Sequence, residues 1–374
     1  MKIAIITNII PSYREGFYNK LFNKREFKVT VYCQDRIPNS NISTIHHKYK
    51  ENVYLVHFLC AKNEIVGFQF LPIRKIIKDN DVIFFDGNPR IISNIVFGFF
   101  SLFYKNKRFI IWSMAHSYGS KKHLEWIRLK WTSLFRNIFV YTDKEVESLR
   151  ERGFVKHNII GMNNGLDQCK IDAEVKKWDH KKLNKWKAQH NFEDKTIILS
   201  SARLVHKNKY NQVIEALKPI SKSIPNILWC VVGSGENEQT LKKMSKIFEV
   251  EEYIYFAGAI FEEEKLAPFF LSSKIFVYPG SIGLSLMHAF GYGLPVVIHN
   301  NEQMHGPEYG AFINNETGKS FEENNVRDLV NCIISLINST DELQRMQRNV
   351  SKIARESYNT DVMVDRFLKI ATNN

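Results

Sequence analysis

The chain has 374 residues, beyond the size at which a single hydrophobic core keeps growing, so about two domains are expected. Its 44% hydrophobic and 24% charged residues, rich in Phe and Tyr, are an ordinary globular composition and exclude a disordered or fibrous chain. The net charge of +13 is carried by the first half: residues 1–170 have 27 Lys and Arg against 14 Asp and Glu, whereas residues 171–374 have 25 of each. Cys33, Cys60, Cys169, Cys230 and Cys332 lie far apart with no Cys-x-x-Cys pair, which excludes a zinc ribbon or disulfide scaffold and makes the cytoplasm the expected setting.

From the N-terminus, Met1 to Pro11 is too short and too polar for a signal peptide and reads as a first buried strand. Strand-like runs then alternate with helix-length stretches: Lys28 to Tyr32, Val53 to Leu59, Val82 to Phe85, Phe109 to Ser113 and Asn137 to Tyr141, then Thr196 to Ser200, Ile227 to Val232, Tyr253 to Phe256, Ile275 to Tyr278 and Pro295 to Ile298. Such alternation predicts an α/β protein of two doubly wound, Rossmann-like domains. The expected division is a first domain over 1–170, a polar, Lys-rich connection over 171–192, a second domain over 193–355, and a closing helix over 356–374 that packs back toward the first.

Ile91 to Tyr104 is the greasiest segment, but it is shorter than the roughly 20 residues that span a bilayer and is interrupted by Ser93, Asn94 and Ser101. A buried helix is predicted there. Ser120 to Arg136 patterns as a basic amphipathic helix, with Leu124, Ile127, Trp131, Leu134 and Phe135 on one face and Lys121, Lys122, Arg128 and Arg136 largely elsewhere. That stripe packs on its own sheet or docks reversibly on an anionic membrane. Nucleic acid is not an expected partner, because no recognition motif accompanies the charge.

In the second half, Phe276 to Ile298 reads as strand, Gly-rich turn, short helix, Gly-Leu-Pro break and strand. Pro279 and Gly280 stop the first strand, and Ser281, Gly283 and Ser285 leave backbone N–H groups uncovered at a helix start, where the dipole favours an anion. An ordinary βα turn has the same composition. Gly233-Ser-Gly235 closes another strand, where missing side chains let a ligand approach the backbone.

These segments together resemble retaining GT-B glycosyltransferases of family 4, whose donor-site signature is Glu-Gly-Phe-Gly-Leu with a second Glu eight residues after the first. Gly280 stands at the first Glu and His288 at the second, while Gly283, Leu284, Ala289, Gly293, Leu294 and Pro295 fit. The resemblance implies donor contacts from Gly280 to Leu284, with Ser281 and Ile282 between, and at His288, which serves the nucleotide ribose or is simply a structural histidine. It implies that Arg203, in Ser200 to Ala216, binds the diphosphate, a role suited to a guanidinium that forks two oxygens. Lys207 and Lys209 are alternative partners for it, Lys209 being slightly favoured. Gly233 and Gly235 line the nucleotide, the backbone of Gly258, Ala259 and Ile260 the base, and the loops His305 to Glu308 and Asn314 to Gly318 close the site. Glu308 is a candidate for the carboxylate missing at Gly280. In the first half, His116 follows a strand where relatives keep a cleft-facing histidine, and Asn163 to Asp167 matches a turn ending the first domain. The usual Gly-rich acceptor loop is replaced by Ile10 to Phe17, which makes Arg14 and Gly16 positional candidates for the acceptor.

The implied protein is a GT-B enzyme, two Rossmann-like domains facing a central cleft, that moves a sugar with retention from a nucleotide-diphosphate donor, UDP-linked in the first instance, to a glycan or lipid-linked acceptor in surface polysaccharide assembly. His116, Arg203 and Lys209 would be its catalytic residues. No clustered His and Asp ligands are apparent, so neither a metal nor another cofactor is implied. Two alternatives stay open: a GT-B sugar-nucleotide 2-epimerase, and a non-catalytic homologue that scaffolds a partner transferase.

Overall fold

The structure, a computed structural model, describes residues 1–36, 43–60, 66–114 and 122–372, with side chains from 125 onward in the last segment. The chain forms two compact units, Met1–Asn164 joined by Thr360–Asn374, and Gly165–Asn359. No described helix is long and apolar enough to cross a membrane.

The first unit is built from β1 (Lys2–Ile6), β2 (Lys28–Cys33), β3 (Val53–Leu55), the antiparallel hairpin of β4 (Phe58–Cys60) and β5 (Gly67–Gln69), β6 (Val82–Asp86), β7 (Arg108–Trp112), β8 (Asn137–Val140) and β9 (Asn158–Gly161). Its main sheet is parallel throughout, in the order β3-β2-β1-β6-β7-β8-β9. Ile3, Ile5, Phe84 and Ile110 point into one apolar layer, Ala4, Ile83, Phe85 and Ile111 into the other. Both faces are covered, so the central strands are continuous hydrophobic runs. The helix Thr360–Thr372 completes the first layer, with Phe367 stacked on Phe84 at 3.9 Å and Arg366 bonded to Asp143 and to the Gly161 carbonyl.

The second unit contains β10 (Thr196–Ser201), β11 (Ile227–Val232), β12 (Ile254–Gly258), β13 (Ser273–Tyr278), β14 (Val296–His299) and β15 (Gly318–Phe321), all parallel, in the order β12-β11-β10-β13-β14-β15. The indole of buried Trp229 on β11 donates to Ser200 Oγ on β10 (2.9 Å), which donates to the Val277 carbonyl on β13 (2.6 Å). This chain of bonds ties three adjacent strands together through one fully satisfied polar path.

Two sequence expectations change. Where a connection was expected over 171–192, the structure has helices Gln168–Val175 and His180–Gln189 within the second unit, each started by an aspartate, Asp167 or Asp179, whose carboxylate accepts a backbone N–H. Trp186 packs edge-on against Phe269 at 4.9 Å. The segment predicted as a buried helix does form one, Ile92–Ser101, but only one side is covered: Ser93, Asn94 and Phe97 are buried while Ile92, Ile95, Val96, Phe99 and Phe100 are exposed.

Candidate functional site

In an open parallel sheet a ligand is received outside the carboxyl ends of the strands, where the strand order reverses. In the second unit that point lies between β10 and β13. The loop after β10 contains Arg203, the turn after β13 contains Gly280, and the two touch. A Cβ on Gly280 would run into the Lys207 carbonyl and the Asn208 backbone, so glycine is required by close approach. Asn208 is itself buried, its amide donating to the Arg203 carbonyl at 2.6 Å. Arg203 is exposed, and its charge opposes the rise that burial imposes on the Tyr278 hydroxyl at the end of β13.

The loop after β11 joins the same cluster. Leu204 N donates to Ser234 O, and Asn237 N to Leu204 O, both at 2.9 Å. Gly233, at φ 149°, leaves no room for a side chain beside the Ala202 carbonyl, and its N–H donates to Gly258 O at 2.7 Å. Gly235 abuts the Leu204 backbone in the same way. Gly258, Ala259 and Ile260 therefore leave β12 beside the end of β11, with Ala259 exposed.

The helix Leu284–Gly291 starts after Gly283 with no side chain capping it. Its first N–H groups and the positive end of its dipole are thus available to an anion. The turn before it is pinned from a distant loop. Ile282 N donates to His305 Nδ1 at 3.2 Å, Gly306 N donates to Ile282 O at 2.6 Å, and buried His305 Nε2 lies 2.8 Å from the His299 carbonyl. With Nδ1 accepting, the ring proton belongs on Nε2, where it donates to His299 O. Buried Glu308 follows, its Oε2 3.5 Å from where a Cβ on Gly283 would stand. A carboxylate thus reaches the Gly-rich turn from a loop 25 residues further on.

His299 and His305 stack at 4.0 Å, and burial holds each down at about 4 against an ordinary 6.5, with the neighbouring ring's charge adding to the effect at His299. A depressed histidine contributes stability that is complete above pH 6.5 and is lost as pH falls toward 4. The expected slope is about 1.4 kcal/mol per pH unit per group. Protonation also puts an N–H at His305 Nδ1 against that of Ile282 and releases the turn. Urea melts from pH 7.5 to 4.5 should show this loss in the wild type and a shallower one in His305→Gln. Equal pH dependence in both would discount the pair.

The remaining candidates separate. Lys209 adopts φ 51° and places its ammonium on Glu323 (2.5 Å) and Asn324 (2.9 Å), whereas Lys207 is exposed. The geometry therefore favours Lys207 over Lys209 as a phosphate partner. His288 Nε2 meets Glu263 Oε1 at 2.7 Å, Tyr292 donates to the same oxygen at 2.6 Å, and the ring lies against Phe270. Burial works against the charge on Glu263, but these two hydrogen bonds hold its carboxyl below the ordinary value. Asn314 bridges to Gly318 and accepts from Ser320 N.

In the first unit the reversal lies between β1 and β6. A cavity of about 160 Å³ opens there, lined by Asn8, Arg14, Tyr18, Asp86 and Tyr141 among others. The Arg14 guanidinium sits 4.8 Å from the Trp112 ring and 5.6 Å from that of Tyr141. Burial pushes the Asp86 carboxyl up, opposed by the Asn88 N–H bonded to it. Gly16 is buried in the helix Glu15–Phe22 and does not line this cavity, so of the two acceptor candidates only Arg14 does. His116 lies outside the described residues. An Asp-x-Asp spelling, Asp79-Asn80-Asp81, sits at the opposite, amino end of β6, where Asp81 accepts from Lys2 N.

Residues 183–353 match the family model "Glycosyl transferases group 1". Over 179 residues the chain is 26% identical to an uncharacterized glycosyltransferase of Haemophilus influenzae, covering 47% of this chain and 48% of that protein. Over 185 residues it is 23% identical to a Staphylococcus aureus poly(ribitol-phosphate) alpha-N-acetylglucosaminyltransferase, covering 49% of this chain and 36% of that one. The chain thus spans about half, or less, of the length of these relatives. Among solved structures, Anabaena HepE in complex with UDP superposes over 100% of both chains with a TM-score of 0.71 at 14% identity. The fold is that of GT-B glycosyltransferases, two Rossmann-like halves with parallel sheets.

Proposed function

We propose that the chain is a retaining, family 4-like glycosyltransferase that takes a sugar from a nucleotide-diphosphate donor, UDP-linked in the first instance. The observation that carries this reading is the meeting of the loop that holds Arg203 with the Gly280 turn, next to the uncapped helix start at the β10–β13 reversal, inside the segment that matches the glycosyl transferases group 1 model. The diphosphate lies over the N–H groups of Ser281, Gly283 and Leu284, that of Ile282 being taken by His305. Arg203 and Lys207 take the charge that develops as the sugar leaves, so the transfer is read as independent of a metal. The backbone of Gly233, Gly235 and Gly258–Ile260 receives the nucleoside. Glu308 replaces the family carboxylate at Gly280 as the contact to the donor sugar. His288, held by Glu263, keeps Nδ1 for a ribose hydroxyl.

The acceptor, a glycan or lipid-linked hydroxyl in surface polysaccharide assembly, enters through the Arg14 and Asp86 cavity. An enzyme of this kind works in the cytoplasm at an anionic membrane surface. A thermal-shift screen against nucleotide sugars tests the donor, since a ligand that binds only the folded state raises the melting point by mass action. No shift with any nucleotide sugar would reject the reading. Turnover of UDP-GlcNAc without acceptor would mark an epimerase, and donor binding without transfer a scaffold.

His288→Ala is expected to weaken UDP binding by about three- to tenfold, the loss of one hydrogen bond, with the fold intact. Unchanged UDP affinity with a lower melting point would make the residue purely structural.

A further inference from the structure

The helix Ile92–Ser101 is amphipathic the wrong way round for a globular surface. Ser93 and Asn94 are fully buried, Ser93 accepting from Gln69 N at 3.1 Å, while Ile92, Ile95, Val96, Phe99 and Phe100 face water at helical spacing. The apolar surface runs on through Phe103, 66% exposed. Gly98 has no room for a Cβ against Trp131 and Phe135, and this close approach sets the helix Lys122–Thr132 and the residues just after it alongside, adding exposed Trp126 from the helix and Leu134 from beyond its end. A contiguous apolar face of this kind marks an interaction site.

Its rim identifies the partner. A groove of about 750 Å³ beside the helix ends is lined by Leu102, Tyr104, Lys105, Arg108, Leu134 and Arg136. Lys105 and Arg136 are exposed there, and Lys130 sits 5.8 Å from the ring of Trp126. A two-fold contact with a second copy would set these cations against one another. Lipid phosphates would neutralise them. At 10 residues the helix is about 15 Å long, too short to span a bilayer and suited to lying in its interface.

We propose that residues 92–104 insert into the interfacial layer of an anionic membrane, with Lys105 and Arg136 meeting lipid phosphates. This changes the surface expected from sequence. Arg128 is half-buried, and burial and Arg90 both lower its pKa; the Lys121 and Lys122 side chains lie outside the described residues. The proposal deepens the lipid-linked acceptor reading and is tested separately from transfer.

The full chain is sedimented with phosphatidylcholine vesicles, with or without phosphatidylglycerol. Recovery is expected with the anionic vesicles, and part of it should survive high salt because apolar side chains have left water. Phe99→Ser with Phe103→Ser should lower partitioning at least about tenfold, and Lys105→Glu with Arg136→Glu should lower it at low salt. Both variants should keep the wild-type melting point and UDP response; a missing UDP response with intact vesicle binding would strike the donor reading alone. With the wild-type chain, brominated lipids should quench tryptophan emission, a readout needing no variant to fold. Wild type left in the supernatant, unchanged partitioning of the Ser variant, absent quenching, or a dimer that the Ser variant dissolves would each overturn the proposal.

Discussion

Arg203→Ala is expected to slow sugar transfer about ten- to a hundredfold, the equivalent of roughly 1.5–3 kcal/mol for a lost charge-assisted hydrogen bond. The side chain is exposed in the loop after β10, so the melting point should hardly move. Its backbone carbonyl, which anchors buried Asn208, is kept in the variant. The loss should fall on the rate constant for transfer more than on the Michaelis constant, because the charge to be stabilised is largest on the departing diphosphate. Measured kcat and KM with a folded variant decide this. Near-normal turnover would remove Arg203 from the phosphate site.

Gly280→Glu tests whether the family carboxylate can simply be put back. Sequence comparison alone predicts a gain, since Glu stands at this position in the family that the segment resembles. The structure predicts the reverse. A Cβ at residue 280 would strike the Lys207 carbonyl and the Asn208 backbone, neither of which can rotate away as a side-chain tip could. The loop carrying Lys207 must shift, at about 1–3 kcal/mol for overpacking a tight contact, and Arg203 shifts with it. The melting point and the UDP affinity should both fall, by calorimetry on the same preparation. A variant that transfers faster than wild type would show that this contact is not obligatory and that Glu308 does not stand in for the missing group.

Much of this site is legible in the sequence because its punctuation is local. Pro279, Gly280 and Gly283 end a strand and start a helix within a few residues, and the structure has β13 and the helix Leu284–Gly291 around them. The parts that sequence does not disclose depend on long-range closure. Glu308, a candidate by resemblance alone, is brought to the turn by the bonds of His305 and Gly306 to Ile282, a closure with no local signature in composition or spacing. Lys209 looks like a free phosphate ligand until Glu323, 114 residues later, is found holding its ammonium. Hydropathy marked Ile91 to Tyr104 as a buried helix but could not show that one side of it meets water, since buried Ser93 and Asn94 look like the outer face. The polar stretch over 171–192 hid most of two helices because their capping aspartates, Asp167 just before it and Asp179 within it, weigh less in composition than its lysines.

The return of the helix Thr360–Thr372 to the first unit has a consequence for how the polypeptide is made. Residues Gly165–Asn359 are one uninterrupted stretch and can close their own core as soon as they leave the ribosome. The earlier-synthesised sheet cannot. Phe84, Phe139 and Trp112 wait for Phe367, which emerges only after Gly165–Asn359, so the sheet translated before the second unit is sealed after it. During that interval an aromatic face belonging to the most basic part of the molecule stays open, and a nascent chain stalled short of residue 360 would present it to chaperones with its other half already folded.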